Sequence, residues 1–491
     1  MSVLAIDAGT TGVTALVVAE DGSIASRGYQ EFAQHFPRPG WVEHAPEEIW
    51  QAVLASCRTA LQGGQSVTAV GITDQRETAV LWDRRTLAAP RRALVWQDRR
   101  GAEVCDRLAA SGHGPRIAEL TGLRLDPYFT ATKLAWLAQH EPETWSGVLT
   151  GRTALGTVDS YLVARLSGGR RHVTDASNAS RTLLYDLRGG GWSAELCDLF
   201  GVPQAALPEI VPSYGEVART DPEAFLGLDL PVAGIAGDQQ AALFGQGCLL
   251  PGSSKCTYGT GSFVLVNTGD QPVAAEGLLT TVAWMAPDGA VTYALEGAVF
   301  VTGAAVQWLR DGLQIIGTAA EVESLAASVA DSAGVVFVPA LTGLGAPHWD
   351  PDARGTVLGI TRGTTRAHLA RATLDAIAYE VRDVVEAMVA AAGVALPALQ
   401  VDGGASSNDL LCQLQADQLG VPVRRPDVVE TTGLGAALLA GLGTGVWGSP
   451  LDVAGPGRPD RTFAPTDGVR DGPGYRQWGE AVRRARGWAA V

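Results

Sequence analysis

Leu230-Pro231-Val232-Ala233-Gly234-Ile235-Ala236-Gly237-Asp238-Gln239-Gln240 runs from apolar residues into one acid and two amides. The apolar run, broken by Pro and Gly, predicts a short buried strand. Two glycines let the backbone approach a neighbour closely, and Ala241-Ala242-Leu243-Phe244 begins a helix. An acid at the carboxyl end of a strand, beside a helix start, lies where open α/β sheets hold ligands. The same Asp238 also suits a helix cap, the commoner job for Asp at such a place. On this stretch alone the cap is the stronger reading.

Upstream, Val3-Leu4-Ala5-Ile6 predicts a strand ending at Asp7, followed by the tight turn Ala8-Gly9-Thr10-Thr11-Gly12 and a second strand, Val13 to Ala19. Asp21-Gly22 marks a hairpin turn. Pro46-Glu47-Glu48 opens a helix to about Leu61, with Pro and acids in its first turn. Val67 to Thr73 predicts a strand that delivers Asp74-Gln75-Arg76-Glu77, and Phe129 to His140 a helix. Downstream, Lys255-Cys256-Thr257-Tyr258 leads into Gly259-Thr260-Gly261-Ser262, a strand over Phe263 to Val266, and the turn Thr268-Gly269-Asp270. This repeats the amino-terminal order of strand, Gly-Thr turn, strand and hairpin turn, and points to a short, degenerate duplication. Leu369 to Ala392 is a long amphipathic helix stopped by Gly393. Leu399-Gln400-Val401 predicts a strand opening into Asp402-Gly403-Gly404-Ala405, residues 448–474 read as surface loops, and a last helix begins near Tyr475. Helices between strands throughout argue an α/β chain in two similar halves, divided near residues 245–255.

The chain has 491 residues, 46% hydrophobic and 18% charged, enough for two or three cores. A net charge of −15 argues against nucleic acid or an anionic membrane as a partner. Lys133 and Lys255 are the only lysines, and neither lies in a G-x-x-x-x-G-K-[ST] pattern, so a P-loop is excluded. The six cysteines lack C-x-x-C spacing, which suits free thiols in a reducing cytoplasm better than disulfides or zinc. No apolar run reaches the length of a membrane helix, and the early strand leaves no room for a signal peptide.

Two Gly-Thr turns, one opening each half, are what a nucleotide-phosphate clamp requires. Glycines let backbone N–H groups approach the oxygens, and Thr hydroxyls add uncharged donors. Asp7 at the first turn suits either a water-held Mg²⁺ or an Asx turn.

Longer stretches are more specific: Phe36–His44 (FPRPGWVEH), Thr73–Thr78 (TDQRET), Gly156–Asp159 (GTVD), Thr174–Thr182 (TDASNASRT) and Gly234–Gln246 in the first half. The second half adds Thr257–Gly261 (TYGTG), Ala294–Phe300 (ALEGAVF) and Leu341–Pro347 (LTGLGAP). In order and spacing, from about residue 3 to 445, the chain resembles the glycerol kinases of the FGGY carbohydrate kinase family. The resemblance implies two actin/hexokinase-like (ribonuclease H-like) ATPase domains, residues 1–248 and 249–491, with the active site in the cleft between them. It implies a cytoplasmic homodimer or homotetramer that makes sn-glycerol 3-phosphate from glycerol and ATP with Mg²⁺. Asp238 would be the general base. Arg76, Glu77, Tyr128, Asp238 and Gln239 would hold glycerol, with Trp96 and Phe263 as apolar walls. Thr10, Thr11, Gly12, Thr14 and Thr260 would meet phosphates, Gly303, Gln307, Gly404 and Asn408 the rest of the nucleotide, and Asp7 the Mg²⁺ through water.

Each residue has a plainer reading: a surface ion pair for Arg76–Glu77, a core aromatic for Trp96, and a close-packed helix face for Gly303 and Gln307. Gly433-x-Gly435 reads as helix packing. Three places depart from the family pattern: Ala8 stands where Gln is usual, Thr14 where Arg is usual, and Asp74 where Asn is usual. Loss of the Arg predicts weaker nucleotide binding or a compensating Arg from elsewhere. These departures leave open a kinase for another small polyol or sugar, erythritol- or xylulose-like. An idle ATPase-fold binding protein is disfavoured by intact Arg76, Glu77 and Asp238.

Overall fold

A computed structural model of the chain describes residues 1–428, 430–449 and 459–490. The first half is built on strands β1 (Ser2–Ala8), β2 (Gly12–Ala19) and β3 (Ile24–Glu31), helix α1 (Pro46–Ala60), β4 (Val67–Asp74), α2 (Thr130–His140), β5 (Tyr214–Arg219), β6 (Pro231–Gly237) and α3 (Asp238–Gly245). The second half contains β7 (Ser254–Tyr258), β8 (Ser262–Gly269), β9 (Leu279–Met285), β10 (Val291–Val299), α4 (Gly303–Asp311), α5 (Arg366–Ala392), β11 (Leu399–Asp402), α6 (Asp409–Leu419), β12 (Val423–Pro426), α7 (Thr431–Gly443), β13 (Pro459–Phe463) and α8 (Pro473–Ala485).

The two main sheets share one topology. In the first, the order is β5-β6-β4-β1-β2-β3; in the second it is β9-β10-β8-β7-β11-β12-β13. Each contains an antiparallel meander (β1-β2-β3; β7-β8-β10) whose first strand pairs in parallel with the next (β4; β11), which pairs in parallel with a fifth (β6; β12). The duplication read from the Gly-Thr turns is therefore a duplication of five strands. Each sheet carries a long helix on its face. Ile49, Trp50, Val53 and Cys57 of α1 enter the first core, and Leu374, Ile377, Val381, Val384, Val385 and Met388 of α5 enter the second. These runs recur at helical spacing, so one face of each helix is covered by its sheet.

A third core joins the halves. Helix α7, though late in the chain, lies on the first sheet and against α3, with Leu434 and Ala436–Ala440 buried among Val3, Ala5, Leu16, Ala236 and Leu243. The approach is close because the contacting positions lack side chains. A Cβ on Gly435 would lie 1.8 Å from the Ala241 carbonyl oxygen, and one on Gly245 would lie 2.1 Å from that of Thr431. The packing reading of Gly433-x-Gly435 holds.

Residues 448–474 are not loop throughout. Pro459–Phe463 adds an antiparallel edge strand beside β12, while residues 450–458 lie outside the described residues. The six cysteines are free and buried. Among the described residues, no helix is long and apolar enough to cross a membrane.

Candidate active site

Parallel register brings the carboxyl ends of β1, β4 and β6 side by side, with Ala8 and Gly237 each paired to Asp74. Chain direction alone therefore gathers Asp7, the Asp74–Glu77 segment and Asp238 at one edge. Asp238 is the first residue of α3, not its cap: Gly237 takes the cap position and no side chain caps the helix. The Asp238 Oδ1 accepts from the Gln239 N–H at 2.7 Å and lies 3.1 Å from Arg76 Nε. Its side chain is 31% exposed, whereas that of Arg76 is 2% exposed. The acid is thus partly open to solvent, and the guanidinium beside it is buried.

Arg76 is held from several sides. Its Nη1 donates to Glu296 Oε2 at 2.5 Å and to Gln240 Oε1 at 3.3 Å, and its Nη2 donates to Glu296 Oε1 at 3.3 Å. Glu77 is buried in the left-handed region at φ 62°. That conformation costs a non-glycine residue about 1–3 kcal/mol and persists only where neighbours impose it. Here the Thr130 hydroxyl donates to the Glu77 carbonyl at 3.0 Å, and Arg181 Nε donates to its Oε1 at 2.7 Å. Burial raises the Glu77 carboxyl above its ordinary range, against the pull of Arg76 and Arg181. Burial would raise Glu296 too, but Arg181 and Arg76 outweigh it and hold that carboxyl at about 2. Gln239 is buried, and its Oε1 accepts from Lys255 Nζ, which also donates to the Thr257 hydroxyl at 2.9 Å. With its oxygen so engaged, Gln239 has its amide N–H groups left to offer.

Trp96 and Tyr128 meet edge to face, with centroids 5.5 Å apart. The Trp96 indole N–H donates to the Thr10 hydroxyl at 3.0 Å, tying the aromatic wall to the first Gly-Thr turn. Phe263 does not belong to this ring pair; it sits on β8, half-buried against the core between the halves.

The first turn exposes Thr11 and buries Gly12, where a Cβ would lie 2.8 Å from the Gln30 carbonyl oxygen. Thr14 pairs directly across from Asp7 and carries no charge. In the second turn Thr260 is exposed, and the Gly303 N–H donates to the Gly259 carbonyl at 3.0 Å. A Cβ on Gly303 would lie 2.7 Å from that oxygen, so this glycine is both a packing position and the start of α4. Gln307 projects from α4 into solvent, and Gly404 is exposed on the turn after β11. Asn408 caps α6: its Oδ1 accepts the Leu411 N–H at 2.8 Å.

Burial, with the carboxylates of Asp238 and Glu430 nearby, pushes the Asp7 carboxyl up to about 8. An acid facing two others is a place where a cation is welcome. Among the described residues, no three His, Cys, Asp or Glu side chains are placed to hold a metal directly. An ion here would have to be held by Asp7 through water and by a ligand's own oxygens.

A model of the N-terminal domain of the FGGY family of carbohydrate kinases matches residues 2–245, and one of its C-terminal domain matches residues 254–444. The chain belongs to the FGGY family of carbohydrate kinases. Among curated relatives, the glycerol kinase of Dechloromonas aromatica (strain RCB) is 54% identical over 493 residues, covering 99% of this chain and 98% of that one. The glycerol kinase of Aromatoleum aromaticum is 53% identical over 494 residues, covering 99% of each. Among solved structures, Plasmodium falciparum glycerol kinase with ADP superposes with a TM-score of 0.93 at 33% identity, covering 99% of this chain and 98% of that one. Xylulose kinase from Rhodospirillum rubrum gives 0.87 at 26% identity, covering 98% of each chain. The two similar sheets joined through α3 and α7 are thus the FGGY kinase fold.

The resemblance assigns Arg76, Glu77, Asp238 and Gln239 to the acceptor but passes over the residues that hold them. Gln240, Arg181, Lys255 and Glu296 are all buried and all bonded to that group. A signal existed. Glu296 interrupts the apolar strand Tyr293-Ala294-Leu295-Glu296-Gly297-Ala298-Val299, and a buried charge demands a partner.

Proposed function

We propose that this FGGY kinase transfers the γ-phosphoryl group of ATP to glycerol, giving sn-glycerol 3-phosphate and ADP. The observation that carries the reading is the Arg76–Asp238 pair, beside Glu77 and the Gln239 amide, in a chain half identical to glycerol kinases along nearly its whole length. A neutral triol needs donors and acceptors for its hydroxyls and a flat apolar surface for its carbon edge. Arg76 and the Gln239 amide donate, Glu77 and Asp238 accept, and Trp96, Tyr128 and Phe263 supply the apolar surface.

Asp238 takes the proton of the attacking hydroxyl as the new O–P bond forms and the bond to the ADP oxygen breaks. Thr10, Thr11, Gly12, Thr14 and Thr260 line the phosphates, while Gly303, Gln307, Gly404 and Asn408 bound the remainder of the nucleotide. Asp7 would hold Mg²⁺ through water, and the ion would neutralise charge at the phosphates when bound with ATP. Residues 1–248 and 249–491 act as the two domains that close over the substrates, which is where the positioning work of phosphoryl transfer is done. The assembly is a homodimer or homotetramer of the cytoplasm, an environment that suits six unpaired thiols.

The test is ATP-to-ADP turnover with glycerol, erythritol, xylulose or no acceptor. Glycerol should stimulate most. Stronger stimulation by xylulose or erythritol would replace glycerol with that acceptor, and no stimulation by any would remove the kinase reading.

A further inference from the structure

The polar residues assigned to the acceptor come from the first half of the chain, yet three side chains that hold them, two directly and one through Gln240, come from the second. Glu296 on β10 binds Arg76, Lys255 on β7 binds Gln239, and Thr281 on β9 accepts from the Gln240 Nε2 at 3.1 Å. Gln240 in turn accepts from Arg76. Glu296 is the most heavily committed of the three. Its two oxygens take three bonds from two arginines, Arg76 and Arg181, the last from Arg181 Nη2 at 2.8 Å. Arg181 then reaches Glu77 through Nε at 2.7 Å. The four side chains alternate in sign, and each is at most 2% exposed.

We propose that Glu296 is a positioning residue for the acceptor site, setting Arg76 directly and Glu77 through Arg181. This rests on the glycerol kinase reading given above.

Counting donors shows what it sets. Of the five guanidinium hydrogens of Arg76, Nε faces Asp238, the Nη1 pair goes to Glu296 and Gln240, and one Nη2 hydrogen goes to Glu296. One Nη2 hydrogen remains, and the two-point grip of Glu296 fixes its direction. At Glu77, Arg181 engages Oε1 and leaves Oε2 for a hydroxyl. Glu296 thus aims one donor and one acceptor at the same small molecule without touching it. Because Glu296 belongs to the second sheet, the aim is correct only when the halves lie together as they do here.

Glu296→Gln keeps the shape and removes the charge, leaving Arg76 and Arg181 facing each other across a neutral amide. The expected result is a glycerol KM raised at least tenfold, with the KM for ATP within twofold of the parent. Glu296→Asp should recover part of the loss, and Arg181→Lys, which cannot reach both acids, should raise the glycerol KM similarly. The Glu296→Gln/Arg181→Lys double variant should do little more than the worse single one, because both act on one network. Thermal unfolding of each variant separates folding from function. A purely structural Glu296 would lower Tm and leave the glycerol KM of the folded enzyme unchanged, which overturns the proposal. If Glu296→Gln does not fold, Glu296→Asp and Arg181→Lys carry the same comparison. The parent enzyme is assayed first. If glycerol gives no turnover, the functional reading falls, and the variants are read on whichever acceptor does; an unshifted KM there overturns the positioning role separately. If no acceptor gives turnover, both fall.

Discussion

Arg76 Nε and Asp238 Oδ1 lie 3.1 Å apart, a buried guanidinium beneath a half-exposed carboxylate. The arginine and the Gln239 N–H both engage Oδ1, which leaves the second oxygen for another partner. Replacing Asp238 with Asn preserves size and the neighbouring bonds but removes the proton acceptor. General-base contributions run to about 10²–10⁴-fold. We expect Asp238→Asn to lower kcat by about that factor with little change in Tm, measured by steady-state turnover and thermal unfolding. Persistence of full activity would return Asp238 to a purely structural role.

Thr14 stands across the β1–β2 pair from Asp7, at the entrance to the first Gly-Thr turn. An arginine there would face the phosphate-binding turn from within the strand. A charge-assisted hydrogen bond contributes about 1.5–3 kcal/mol, so Thr14→Arg should lower the KM for ATP by about tenfold or more. An unchanged KM would show that Thr14 does not weaken nucleotide binding.

Asp74 is fully buried among Asp159, Asp175 and Asn178. Burial, then the Asp159 carboxylate, raises its carboxyl well above the usual range. The folded chain therefore keeps a proton that the unfolded chain releases near pH 4. The stability this proton contributes is fully present below about pH 4 and is lost as pH rises toward the folded-state value. Asp74→Asn cannot titrate, so its Tm should decline less than the parent's between pH 4 and 8. Parallel curves, read by thermal unfolding across that range, would rule out Asp74 as the source.

Gly435 lies inside α7, where an exposed Gly→Ala change ordinarily gains about 1 kcal/mol. Here the added methyl would sit 1.8 Å from the Ala241 carbonyl oxygen on α3. Overpacking of that kind costs about 1–3 kcal/mol. Gly435→Ala should therefore destabilise, as measured by the midpoint of urea unfolding. A gain in stability would mean that the two helices separate easily.

Much of the fold was legible because its elements carry strong local patterns. The helix read as Leu369–Ala392 is Arg366–Ala392; its first residues were missed because Thr365 and His368 cap each other's backbone, a start without the usual acid. β13 lies in a stretch that reads as loop because Pro-Asp-Arg-Thr-Phe has no apolar alternation, and the strand gains its order from β12. Asp238 shows the limit at the site. Its place at a strand end was plain, but whether it caps α3 or faces a ligand depends on Arg76, a partner from another strand. Arg76 and Glu296 stand 220 residues apart in the chain. Either charge could be suspected of needing a partner; which partner is decided only when the two sheets meet.

The two lysines bear on how the protein can be handled and marked. Lys255 lies beneath Gln239, and Lys133 donates to the Pro127 and Tyr128 carbonyls at 3.0 and 2.5 Å; both are fully buried. Every basic side chain on the surface is therefore Arg or His. Amine-directed reagents, whether acetylating enzymes, cross-linkers or fluorophore esters, find no lysine to attack on the folded chain. Lysine labelling becomes a clean report of unfolding, and a single surface lysine placed by mutation would be the one lysine open to such reagents, beside the exposed amino terminus at Met1.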